Sequence, residues 1–250
     1  MTSTEIAALL VGGLVAGVIN TLAGGGSMIT VPILVLMGLP GPVANATNRV
    51  GVLVQNLTSA VAFQAQGVRS VRRSLPILIP AALGAMIGAV VASRMSAELF
   101  ERVFGVLMLL VLIPMLRPSK NGRSGNADEE PAERPAWLEA LVYFGIGIYG
   151  GAFQIGVGIL LIAALSFAGM SLVRANSIKV LVVLCFTAFA LPVFIAADLI
   201  VWPTALVLAT GFAAGGALGA RLAVRGGDRL IRPILAVAVV ALAGRMLGFY

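Results

Sequence analysis

Residues 17–40 read GVINTLAGGGSMITVPILVLMGLP. An apolar run arrives at three consecutive glycines, Gly24, Gly25 and Gly26, and resumes after Ser27. Glycine disfavours helix interiors and adopts backbone conformations that other residues avoid. The spacing therefore predicts a helix that stops and restarts. The restarted stretch, 28–39, is too short to cross a bilayer at about 1.5 Å per residue. Backbone without helical hydrogen bonds is expensive in lipid unless it lines a cavity or is buried in protein. Such a break aims a helix N-terminus into the protein interior. Its free N–H groups carry about half a positive charge and favour anions. Pro32 is expected near the first turn of the restarted helix, where a missing N–H does least harm. The competing reading is close packing through small residues, or a plain loop.

Outward from this break the chain is as apolar as a membrane protein requires. Of its 250 residues 60% are hydrophobic and only 11% are charged, against about a quarter charged in soluble domains. Apolar segments run at 6–22, 28–39, 44–66, 75–93, 99–116, 137–153, 156–168, 172–197, 201–220 and 230–248. They do not alternate polar with apolar, so a β-barrel is excluded. The formal charge of +7 sits mostly in short loops, where it orients helices rather than binding nucleic acid. There is no histidine, and Cys185 is the single cysteine. A haem, a His-ligated zinc, a His base and an intrachain disulfide are all disfavoured. No basic stretch precedes the first apolar run, so no cleavable signal is expected.

The polar stretch 117–135 reads as a flexible linker dividing two similar halves, 1–116 and 136–250. VANATNRV (43–50) matches VRANSIKV (173–180), pairing Arg49 with Lys179. LGAMIGAVVASR (83–94) matches TGFAAGGALGAR (210–221), pairing Arg94 with Arg221. ELFERVFGVLML (98–109) matches DRLIRPILAVAV (228–239), pairing Arg102 with Arg232. A second break, FQIGVG at 153–158, precedes the second short segment. The basic loops at 67–74, 117–135 and 221–232 belong in the cytoplasm, and 196–203 belongs outside. The halves are then inverted copies, provided each broken pair enters and leaves on one side. Arg94 and Arg102 fall outside in this scheme, against the charge rule. The expected fold is an all-α, polytopic transmembrane bundle of two inverted repeats with glycine-broken short helices, multi-pass in a cell inner membrane.

Arg49 and Lys179 each lie about two turns into a long apolar span, at a depth where a charge usually faces a pathway or a partner. Both are long enough to snorkel to headgroups instead. Asn45, Asn48, Gln55 and Ser59 stand three, seven and four residues apart, with Asn56 adjacent, and make a polar stripe. Such a stripe lines an aqueous path or bonds neighbouring helices. Asn176 and Ser177 are the second-half counterparts, with Cys185 and Thr187. The candidate anion-binding set is Gly24, Gly25, Gly26, Ser27, Asn48, Arg49, Asn176 and Lys179. No catalytic residue, metal ligand or cofactor site is expected. The expected partners are a small anion and the lipid bilayer, not nucleic acid, and self-association as a homo-oligomer is compatible with the pattern.

The run at 17–40, the ATN triplet at 46–48 and QAQG at 64–67 together resemble the TauE/SafE family of sulfite exporters and related membrane transporters. The second half repeats the pattern in weaker form, as that family does, and departs from it where Gly156-Val157-Gly158 stands in place of the expected glycine triplet. The resemblance implies export or uptake of sulfite, organosulfonates or related small anions. Three rivals are weighed against it. An intramembrane Ser–Lys enzyme is disfavoured because Ser177 and Lys179 are two apart and do not share a helix face. A non-transporting scaffold has no use for paired breaks. A cation channel lacks intramembrane acids.

Overall fold

The computed structural model describes residues 1–68, 71–116, 135–167, 170 and 172–224. The linker 117–134, Arg69 and everything from 225 lie outside the described residues, including the expected segment 230–248 and the pairing of Arg102 with Arg232. Every regular element among the described residues is an α-helix. They are α1 (Ser3–Ala23), α2 (Ser27–Leu36), α3 (Gly41–Ala65), α4 (Val71–Ser93), α5 (Ala97–Leu116), α6 (Ala136–Ala152), α7 (Val157–Phe167), α8 (Leu172–Ala196) and α9 (Trp202–Val224). Three of these, Ser3–Ala23, Val173–Ala196 and Trp202–Val224, are long and apolar enough to cross a membrane. Helix α3 is 25 residues long, but its interior carries Arg49 and the polar stripe.

Large apolar side chains face outward, among them Val11, Val61, Ile79, Leu141 and Leu206. Small and polar residues are buried together with large ones such as Phe100, Phe186 and Phe212, and an outer surface this apolar suits a bundle whose solvent is lipid. Glycines set the closest crossings. Along α1 and α9, Gly13 lies against Leu208 and Gly211, Gly17 against Phe212 and Gly215, and Gly219 against Val18 and Thr21. The registers rise together, so α1 and α9 run parallel. Along α4 and α6, Gly84 lies against Phe144, Gly88 against Ile148, and Gly151 against Ala85. That pair is parallel too.

Helix α3 packs on α9 and α8. Gly51 meets Phe212 and Gly216 meets Gln55 and Ser59, so α3 also runs with α9. Against α8 the order reverses. Thr47 accepts a bond from Val201 N at 3.1 Å, Arg49 sits over Phe194, and Phe63 packs with Val180. Helices α3 and α8, which carry the matching motifs, are therefore antiparallel. Helix α2 doubles back along α1: Gly26 lies against Ala16 and Asn20, while Gly12 faces Ile33.

Two local expectations need adjustment. Helix α2 begins at Ser27, so Pro32 is inside the helix rather than in its first turn. Its ring removes the N–H that would have bonded the Met28 carbonyl. At the second break the left-handed backbone falls on Gln154 (φ 60°) as well as Gly156 (φ 54°). A non-glycine residue there carries about 1–2 kcal/mol of strain.

Candidate functional site

The two breaks meet. A β-carbon built on Gly24 would strike the Gly158 backbone, and one built on Gly158 would strike Gly24 and the Lys179 stem. Helix α1 ends at Gly24, which has φ 80°. Its N–H bonds the Asn20 carbonyl at 2.9 Å and the Ile19 carbonyl at 3.2 Å. Only glycine takes this conformation and this contact without strain. Helix α2 then starts from Gly26 with no side-chain cap. The Asn20 Oδ1 lies 3.4 Å from Gly26 N. On the first turns of α2, Ser27 Oγ accepts from Asn48 Nδ2 at 3.1 Å, and Thr30 donates to Asn48 Oδ1 at 2.6 Å.

Arg49 and Lys179 are fully buried and do not snorkel. Each reaches across to the other half's broken helix. Arg49 Nη2 donates to the last carbonyls of α6: Gly150 at 3.1 Å, Gly151, and Ala152 at 3.2 Å. Lys179 Nζ donates to the last carbonyls of α1, Asn20 at 2.9 Å and Thr21 at 2.7 Å, and to Asn176 Oδ1 at 2.8 Å. These helix ends are where carbonyls lack intrahelical partners and negative potential gathers. A cation placed there satisfies both, which is how two charges persist in an apolar interior without a carboxylate. Phe194 covers one face of the guanidinium, with Cζ 4.7 Å from the ring centre.

An asparagine accompanies each cation. Asn45 Nδ2 donates to the Ala152 carbonyl at 2.9 Å, and Asn176 Nδ2 donates to the Leu22 carbonyl at 3.3 Å. The candidate set is thus divided differently from the sequence grouping. Ser27 and Asn48 stay together at the start of α2. Arg49, one residue on from Asn48, turns instead to the end of α6. Asn176 and Lys179 stay together but serve the first half's break, not their own.

The polar stripe on α3 is largely consumed by helix–helix bonds. Gln55 Nε2 donates to Thr21 Oγ1 at 2.7 Å and to Ser59 Oγ at 2.9 Å. Asn20 Nδ2 donates to Gln55 Oε1. Ser59 donates to the Gly216 carbonyl at 3.1 Å. Of the two readings of the stripe, interhelical bonding describes this conformation.

Four buried side-chain atoms have no hydrogen-bond partner among the described residues: Arg49 Nε, Arg49 Nη1, Asn45 Oδ1 and Gln154 Oε1. All four belong to residues on or just past the end of α6, or bonded to it. Gln154 Nε2 is held by Thr187 Oγ1 at 3.1 Å. Asn45, Thr30 and Phe194 are the site residues that the candidate set leaves out. Asn45 carried a signal, since it stands one turn before Arg49 on the same face. Phe194 carried none.

The chain is similar along most of its length to proteins named as probable membrane transporters. One from Sinorhizobium sp., named ORF9, is 26% identical over 97% of this chain and 92% of its own length. One from Haemophilus influenzae is 27% identical over 96% of this chain and 94% of its own. YfcA of Escherichia coli is 25% identical over 94% of this chain and 86% of its own. No solved structure matches it. The sulfite exporter TauE/SafE family matches residues 9–246. With both helix breaks and both buried cations inside that span, the chain belongs to the sulfite exporter TauE/SafE family.

Proposed function

We propose that the protein is a secondary transporter or uniporter for a small anion, such as sulfite, an organosulfonate or a related oxyanion. It is not an enzyme, and it sits as a multi-pass protein in a cell inner membrane. Its halves, 1–116 and 136–250, are inverted copies joined by a cytoplasmic linker, 117–135. The antiparallel run of the matching helices α3 and α8 supports the inversion. So does the parallel pairing of α1 with α9 and of α6 with α4.

The observation that carries the reading is the crossed anchoring. Arg49 of the first half holds α6, and Lys179 of the second half holds α1. Each bond joins elements of different halves, so rocking one half against the other must strain or exchange these bonds. An anion that competes with helix-end carbonyls for a buried cation couples its own binding to that rocking. The family description, sulfite exporter, supports the choice of substrate class. Export needs no proton relay, because a monovalent anion leaving an inside-negative cell gains about 2.3 kcal/mol per 100 mV.

The test is efflux from proteoliposomes loaded with sulfite or an organosulfonate. The expected result is protein-dependent efflux that speeds up when the interior is made negative. Vesicles with protein that stay as tight as protein-free ones to every anion tried would leave the scaffold reading in its place.

A further inference from the structure

The two cation clamps look alike but are not equally satisfied. In the second half Asn176 and Lys179 bond each other and the last carbonyls of α1. Lys179 Nζ has three N–H donors and three acceptors within 2.9 Å, one of them Asn176 Oδ1. In the first half nothing corresponds to that internal bond. Asn45 and Arg49 are four apart on α3 and share the Ala152 carbonyl. Yet Asn45 Oδ1, Arg49 Nε and Arg49 Nη1 are all buried and unpartnered among the described residues. Buried donors and acceptors of this kind are normally partnered by protein, water or a guest.

From this asymmetry we propose that the first-half clamp alone holds a binding site. The site is formed by the spare N–H donors of Arg49 with Asn45 Oδ1, and it prefers a monovalent oxyanion that still bears a hydrogen, such as hydrogensulfite, over an organosulfonate or a dianion. The Asn45 amide is oriented by its own bond: Nδ2 faces the Ala152 carbonyl, so Oδ1 is fixed as an acceptor. Spare donors on a cation one helix turn from a fixed acceptor match a ligand with charged oxygens and one hydroxyl. An oxyanion without hydrogen leaves Asn45 Oδ1 facing a like partial charge. A dianion leaves an uncompensated negative charge against a single guanidinium already shared with the carbonyls of α6. Lys179 has no donor to spare and acts as a positioning residue for the end of α1.

The inference rests on the anion-transport reading, and the experiment separates the two. Purified protein is titrated at mildly alkaline pH with hydrogencarbonate and with nitrate, followed by thermal melting. These anions are planar, singly charged and of similar size, and only hydrogencarbonate bears a hydrogen. Sulfite and an organosulfonate are run beside them. The wild type is expected to bind hydrogencarbonate about tenfold more tightly than nitrate, the worth of one buried hydrogen bond. Arg49→Lys keeps the charge and three donors for the α6 carbonyls but removes the spare N–H groups. It should melt near the wild type and lose the anion response. Asn45→Ser removes the fixed acceptor and should narrow the preference to about twofold or less. Equal affinity for both anions in the wild type overturns the inference and leaves the anion reading standing. An undiminished response in Arg49→Lys overturns it too. If Arg49→Lys does not fold, the wild-type ratio and Asn45→Ser still decide. If none of the four anions shifts the melting curve, the anion reading falls as well.

Discussion

Gly24 and Gly158 touch backbone to backbone, so neither position has room for a β-carbon. They come from different halves, 1–116 and 136–250, and each lies at a helix break. The contact joins the two breaks into one structure and brings the Lys179 stem alongside it.

Gly24→Ala should destabilise the protein by about 2–4 kcal/mol, combining left-handed strain with overpacking. Gly38 is a control, since it also has positive φ (93°) but meets nothing within 4 Å. Gly38→Ala should cost only the strain, about 1 kcal/mol. Melting temperatures in detergent check the contrast. Equal effects at the two positions would mean that the breaks do not meet.

Lys179→Met preserves stem volume and removes the charge. The Thr21 carbonyl and Asn176 Oδ1 would lose this donor, and the Asn20 carbonyl would keep only the Gly24 N–H. Leaving such buried acceptors unmade costs about 1–3 kcal/mol each before relaxation. A drop of several degrees in melting temperature is expected, with Arg49→Lys affected much less.

The glycine seams should be intolerant of bulk. Gly88 faces the Ile148 carbonyl and Gly215 faces the Leu14 carbonyl. Leucine at either position should abolish folded protein in size-exclusion chromatography. Gly145 lies on α6 with nothing within 4 Å. Gly145→Ala should be neutral or stabilising by up to about 1 kcal/mol, from helix propensity.

The proposed inverted arrangement makes a prediction about topology. After replacement of Cys185, single cysteines at Ser124 and Asp198 should label from opposite sides of the membrane with an impermeant thiol reagent. Labelling of both from one side would overturn the inverted arrangement and the cytoplasmic linker.

Much of this architecture was legible in the sequence, because helices in lipid write their length and breaks directly into hydropathy. The break at Gly24–Gly26 and the short helices α2 and α7 could be read without coordinates. The partners of the two cations could not. They join Arg49 to Gly150–Ala152 and Lys179 to Asn20 and Thr21, and no periodicity within one helix reports a contact between halves. Adjacent helix residues point about 100° apart, so Asn48 bonds Ser27 and Thr30 while Arg49 turns to the end of α6. The stripe on α3 was ambiguous in sequence because pore-lining and helix-bonding residues are chemically the same.

The crossed anchoring is tested most directly by anion flux through Arg49→Gln in proteoliposomes, beside its expression level and melting curve. The account predicts a well-expressed, folded protein whose sulfite or organosulfonate flux falls to the level of empty vesicles. Flux equal to that of the wild type would contradict it, because the guanidinium on the end of α6 would then have no part in transport.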